Sequence, residues 1–222
     1  MSYYYKILFL SFIIPFIFSF HSKIKFNNHF KVLMLSIPIS AIPFIIWDII
    51  FTHYKIWGFN KNFVSTYLIN LPIEEYLFFI IIPFCCLYTY HVIDRYQISI
   101  TKSINWTIIQ KAFILILTIT ALINFSKTYT FVCFISCSII LLLNLKITNS
   151  INNHSFHTTF ILILIPFLIV NGALTGLFYE QTVVWYNKNM ILGFYILTIP
   201  IEDLIYSYQL QLLNLLIYKK IK

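Results

Sequence analysis

Seven apolar runs, each about as long as a bilayer is thick, dominate the chain: Tyr3–Phe20, Val32–Ile50, Phe63–Tyr90, Trp106–Phe125, Tyr129–Leu145, Phe160–Phe178 and Met190–Tyr218. About 20 residues of helix cross a hydrocarbon core, so the pattern predicts an all-α, polytopic integral membrane protein with about seven transmembrane helices. The polar breaks are short. Ser126-Lys127-Thr128 is almost all that parts the fourth and fifth runs, which predicts a tight hairpin. No connection is long enough for an extramembrane domain, so residues 1–222 read as a single membrane domain. The first run holds one lysine, Lys6, and ends at Phe18-Ser19-Phe20-His21 without a small-residue cleavage site. It reads as a retained helix rather than a signal peptide.

Composition supports this pattern. The chain is 60% apolar and 10% charged, with a mean hydropathy of +0.85. Soluble domains carry about 25% charged residues, so lipid must solvate much of this surface. A net charge of +8 would suggest nucleic acid in a soluble protein, but no basic stripe exists here to track phosphates. The basic residues instead sort by side. Ten (Lys23, Lys25, Lys31, Arg95, Lys102, Lys111, Lys146, Lys219, Lys220 and Lys222) fall at one end and five (Lys6, Lys55, Lys61, Lys127 and Lys188) at the other. By the positive-inside rule this places the N-terminus outside and the C-terminus in the cytoplasm, in the inner membrane of a bacterial cell. Cys85, Cys86, Cys133 and Cys137 lie within apolar runs without zinc-site spacing and read as packing residues. There is no glycine-rich nucleotide fingerprint, P-loop or aspartate-rich magnesium motif, so no cofactor and no metal is expected.

The acids carry the chemistry. Asp48, Glu74, Glu75, Glu180, Glu202 and Asp203 gather at one end of the predicted bundle and only Asp94 at the other. A shift of 128 positions aligns Pro38 with Pro166, Trp57 with Trp185, Tyr67 with Tyr195, Pro72-Ile73-Glu74-Glu75 with Pro200-Ile201-Glu202-Asp203, and Tyr90 with Tyr218. This predicts two parallel three-helix repeats, about residues 1–95 and about 128–220, joined by a linking fourth helix. Repeats of this kind place their site at the interface of the halves.

A carboxylate in a spanning helix costs about 2.5–3.5 kcal/mol, so four at matched positions call for an explanation. In a continuous third helix kinked at Pro72, the preferred reading, Glu74 lies about 16 Å deep at ~1.5 Å per residue. Alternatively Pro72 opens the helix and Glu74 sits in its first turn. Neighbouring residues point about 100° apart, so Glu74 and Glu75 cannot both face one small cavity. The acids either satisfy backbone groups and fix packing, or share protons and act as general acids. Phe78 and Phe79 follow one pair, Tyr206 and Tyr208 the other, as packing or as faces for a cation. Asp48, beside Trp47, is a third site carboxylate or an interfacial residue. Glu180 reads as interfacial, His53 as a loop residue, and His91, His154 and His157 belong to the opposite side.

Leu71-Pro72-Ile73-Glu74-Glu75-Tyr76-Leu77-Phe78-Phe79 with Ile82-Pro83-Phe84 resembles the first-half signature of the membrane-embedded lycopene β-cyclases. These occur as two subunits, as fused chains, or within fungal bifunctional proteins. Val170-Asn171-Gly172-Ala173-Leu174-Thr175-Gly176, Val184-Trp185-Tyr186-Asn187 and Thr198 through Tyr206 resemble the second half, and Trp47-Asp48 and Trp57-Gly58-Phe59-Asn60 also fit. The chain thus resembles the fused single-chain form. Departures are confined to tolerant apolar positions (Leu77, Leu204, Ile205) and to a C-terminal Tyr218-Lys219-Lys220 without the usual acidic end.

The resemblance implies conversion of lycopene through γ-carotene to β-carotene without net redox change, by an intramolecular lyase (isomerase) of carotenoid biosynthesis. An acid protonates C2, C5=C6 closes on the C1 cation, and a base removes the C6 proton. The implied acid–base set is Glu74, Glu75, Glu202 and Asp203 with Asp48 as a further candidate. Phe78, Phe79, Trp185 and Tyr206 are candidates to line the substrate pocket. Implied partners are lycopene and γ-carotene in the bilayer, membrane lipids, and other carotenoid-pathway enzymes or a second copy of the chain. A proton-coupled carrier and a non-catalytic carotenoid- or lipid-binding protein are the alternatives. On the cyclase reading, Glu74→Gln or Glu202→Gln is expected to abolish cyclisation.

Overall fold

The computed structural model describes residues 2–146 and 153–222. Among them the chain forms seven α-helices: α1 Tyr3–Ser19, α2 Phe30–His53, α3 Ile73–Arg95, α4 Trp106–Ile123, α5 Thr128–Lys146, α6 Asn153–Thr175 and α7 Ile201–Ile221. Five stretches are long and apolar enough to cross a membrane: α2 with the 3-10 turn before it, α3, α4, α5 and α6. Their outward residues are bare apolar side chains, such as Met34, Ile123 and Ile165, which only lipid can cover at this density. The protein is a helical membrane protein.

α1 has 17 residues, and α7 is too polar to qualify as a span by composition. The reason for the polarity of α7 is its position: it packs against α2, α3 and α5 and buries Gln209, Gln211 and Asn214. Ser136 donates to Gln209 Oε1 (2.8 Å) and Ser40 to Asn214 Oδ1 (3.1 Å). A helix enclosed by helices does not need an apolar surface. α4 is the opposite case, apolar and mostly uncovered, packing principally on α5 through the short 124–127 turn.

The fold is not helix alone. Tyr67–Leu68 (β2) pairs with Leu71–Pro72 (β3), and Tyr195–Ile196 (β5) pairs with Ile199–Pro200 (β6), each antiparallel. The first hairpin corrects the preferred reading of a continuous third helix from Phe63, and the second interrupts the seventh run in the same way. Leu71 is held extended by the proline after it, and Pro72 itself takes φ −62°, ψ 147° as the helix N-cap. The chain reverses at Ile69-Asn70 with both residues at positive φ (47° and 66°), the geometry of a two-residue hairpin turn. Pro200 caps α7 in the same way, at φ −58°, ψ 143°. Glu74, Glu75, Glu202 and Asp203 therefore lie in first helical turns, where the helix dipole favours acids.

A third strand pair joins distant parts of the chain. Trp57–Phe59 (β1) runs antiparallel to Val184–Tyr186 (β4), with Trp57 opposite Tyr186 and Gly58 opposite Trp185. A Cβ on Gly58 would overlap the Trp185 indole, so only glycine permits this approach. The pair covers the end of the bundle where α3 and α7 begin.

Candidate functional site

Each acid pair is split by the helix it opens. Glu74 turns back to the loop before it: its Oε1 accepts the Ser65 N–H (2.8 Å) and the Ser2 hydroxyl (2.6 Å). Glu202 does the same, accepting the Leu192 N–H (2.7 Å) and the Thr130 hydroxyl (2.5 Å). Both side chains are fully buried. They tie the incoming loop and a neighbouring segment to the helix start, and neither lines the cleft.

Glu75 and Asp203, about 100° further round their helices, face a common cleft together with Asp48. Tyr4 donates to Glu75 Oε2 (2.8 Å). Tyr129 and Tyr186 donate to the two oxygens of Asp203 (2.7 Å each), and Tyr206 donates to Asp48 Oδ1 (3.3 Å). The Asp48 and Glu75 carboxyls lie within hydrogen-bonding range of one another, and Asp203 is near enough to act on both electrostatically. Burial, and then the neighbouring Asp203 carboxyl, push the phenol of Tyr186 in β4 well above its ordinary range, which keeps it a neutral donor.

Aromatic faces complete this end. Trp57, Phe59, Phe78 and Tyr206 line the cleft, with Trp47 against Tyr206 at a ring separation of 5.1 Å. Of the other pocket candidates, Phe79 is fully buried behind the cleft, stacked toward Phe44. Trp185 is 41% exposed on the outer face of β4. Alternation along a strand explains the second case: Trp185 and Tyr186 point to opposite faces, and Tyr186 is the one directed inward. Tyr4 and Tyr129 are cleft residues that the sequence did not single out, and Trp57 and Tyr186 stood there only within the motifs that carry the resemblance. Tyr4 lies in a run of three tyrosines and Tyr129 is the single tyrosine of α5, and neither pattern marks a cleft residue. Glu180 is exposed in the loop after α6. Among the described residues no three His, Cys, Asp or Glu side chains are grouped as metal ligands would be.

What the arrangement offers is three buried carboxyls, four phenols and an apolar, aromatic wall: proton donors and acceptors facing a space that favours hydrocarbon. A family model for lycopene cyclase matches the chain over residues 1–93 and again over residues 126–221. The chain belongs to the lycopene cyclase family. No curated protein and no solved structure gave a significant match. Membership of the lycopene cyclase family supports a role in carotenoid cyclisation and a lipophilic substrate drawn from the membrane. Both matched segments contain a Pro-Ile-Glu-acid helix start, one supplying Glu75 and the other Asp203 to the cleft.

Proposed function

We propose that this lycopene cyclase family member is a lycopene β-cyclase that converts lycopene through γ-carotene to β-carotene. The observation that carries the reading is the meeting of Asp48, Glu75 and Asp203 at one end of an apolar, aromatic cleft. Carboxyl groups in mutual hydrogen-bonding contact hold a proton between them, so the Asp48–Glu75 pair is the donor. It protonates C2 of the terminal C1=C2 bond and leaves a tertiary cation at C1. The C5=C6 electrons form the C1–C6 bond and move the cation to C5. Asp203, which meets only hydroxyl donors from Tyr129 and Tyr186, is the base that takes the C6 proton, and the C5=C6 bond of the β-ring forms. One proton enters and one leaves, with no change of oxidation state. The faces of Trp57, Phe78 and Tyr206 stabilise the travelling positive charge.

The same reading takes Glu74 and Glu202 as positioning residues that fix the helix starts. It takes the chain as two repeats of three helices, about residues 1–95 and 128–220, joined by α4. The strand pairs β2–β3 and β5–β6 and the capping prolines recur at a spacing of 128 residues, which supports the duplication. All seven helices then cross the bilayer with the N-terminus outside, which the ten-to-five distribution of basic residues supports. Expression in bacteria that accumulate lycopene tests the function. A cyclase turns the red pigment yellow-orange and yields γ- and β-carotene by chromatography. Unchanged lycopene alongside membrane-inserted protein rules the reading out, and would leave a carrier or a binding protein.

A further inference from the structure

The cleft extends well beyond the acids. Along α3 its lining runs from Glu75 through Phe78, Ile82 and Cys86 to Thr89, a recurrence of three and four residues that marks one helix face. Ser11 and Pro15 of α1, Phe167 and Val170 of α6, and Ser207 and Leu210 of α7 form the other walls. From Glu75 to Thr89 is fourteen residues, about 21 Å at ~1.5 Å per residue. An extended carbon chain advances about 1.25 Å per carbon at ordinary bond lengths, so this groove takes about half the main chain of a C40 polyene. Volume agrees with length. Pockets that take a whole drug-sized ligand run about 300–1,000 Å³, and this cleft encloses about 260 Å³.

At the depth of Cys86 the matching face of α7 is packed shut. The position 128 residues beyond Cys86 is Asn214, which is fully buried and bonded to Ser40 Oγ (3.1 Å) and the Pro83 carbonyl (3.4 Å). α2 packs against both α3 and α7 there and closes the space that lies open beside α6.

We infer that the groove between α1, α3, α6 and α7 holds one half of the linear polyene, with its end group at Asp48, Glu75 and Asp203, while the other half stays in lipid. The inference rests on the cyclase reading and adds two things: Ser11 and Thr89 as determinants of substrate binding, and release of the monocyclic product between closures. A half-bound molecule must leave and return reversed before its second end can react.

The test uses the full chain reconstituted in phospholipid vesicles. Isotope-labelled lycopene is converted in the presence of a tenfold excess of unlabelled γ-carotene. Label should appear in the γ-carotene pool before it appears in β-carotene, because released intermediate mixes with that pool. Separately, Thr89→Trp and Ser11→Trp should each raise KM for lycopene at least tenfold with a smaller effect on kcat. Ile80→Trp, on the exposed side of α3 and outside the groove, should match the wild type. Label that reaches β-carotene with none passing into the γ-carotene pool would show that both ends react without release and would overturn the inference while leaving the cyclase intact. Wild-type KM in both groove variants would overturn it equally. A preparation that forms no ring at all would instead remove the cyclase reading and the inference with it.

Discussion

Replacing Asp203 by Asn and Glu202 by Gln should separate chemistry from architecture at two adjacent residues. Asp203→Asn keeps size and shape. Its amide oxygen still accepts from one phenol, and the hydroxyl of the other can rotate to accept from the new NH2. The change in stability should stay near 1 kcal/mol. Chemistry should suffer far more, because Asp203 is the proposed base and a general base contributes about 10²- to 10⁴-fold. That is about 2.7–5.4 kcal/mol in the barrier at ~1.36 kcal/mol per decade.

Glu202→Gln inverts the outcome. Oε1 can still accept the Leu192 N–H and the Thr130 hydroxyl, but as an amide rather than a carboxylate. Hydrogen bonds to charged groups contribute about 1.5–3 kcal/mol and neutral ones about 0.5–1.5. Weakening two of them costs about 1–3 kcal/mol of stability, with the cleft untouched. The assay pairs thermal unfolding in detergent with single-turnover conversion of lycopene, normalised to the folded fraction. Asp203→Asn should lose at least a hundredfold in rate at a near-normal midpoint; Glu202→Gln should show a lowered midpoint and a rate within about threefold of wild type, since positioning is all it supplies. A Glu202→Gln protein that is folded yet as slow as Asp203→Asn would refute the division between the two acids. On the proposed division, loss of cyclisation is expected at Glu75 and Asp203 rather than at Glu74 and Glu202.

Three further outcomes follow from the same contacts. Asp48→Asn removes one half of the shared-proton pair with Glu75 and should lower the single-turnover rate by about 10²-fold or more, read from pigment chromatograms at equal membrane expression. Gly58→Ala drives a Cβ into the Trp185 indole and should destabilise by about 1–3 kcal/mol, as overpacking does, seen as a lower unfolding midpoint. Lys219→Ala breaks the pair with Asp94 (3.7 Å, both side chains partly exposed) and should cost no more than about 1 kcal/mol, with activity unaffected.

The helix count and the places of α1, α2, α4 and α5 were legible because apolar length is a strong signal. The starts of α3 and α7 were not. The β2–β3 hairpin is built from Tyr67, Leu68, Ile69 and Leu71, which are apolar and merge with the helix that follows; only Asn70 and Pro72 mark the turn, and proline also suits a kink. At the site, the 100° angle between adjacent helical residues foretold that Glu74 and Glu75 would part company, but not which would face inward. The 128-residue offset also equated Trp57 with Trp185. In the β1–β4 pair Trp57 stands opposite Tyr186 instead, and Trp57 lines the cleft while Trp185 faces out. Asp48 stood open between site and interface because its partner, Glu75, is on another helix.

If the chain is a duplication, the cleft is where the copies have diverged, and backbone geometry maintains the difference. The position matching Asp48 is Gly176. α2 continues through Asp48 to His53, whereas α6 ends at Thr175, and Gly176 turns the chain at φ +96°. That is a left-handed C-terminal cap suited to glycine, and a Cβ there would also press on the Thr182 side chain. An acid therefore has no unstrained way to stand beside Asp203 as Asp48 stands beside Glu75. In return Asp203 receives Tyr186, whose counterpart at the matching position is Gly58, the residue that lets Trp185 approach. Two glycines thus keep one acid paired with a carboxyl and the other with phenols. A reaction that must both give and take a proton needs that inequality, because identical carboxyl environments would favour the same protonation state at both.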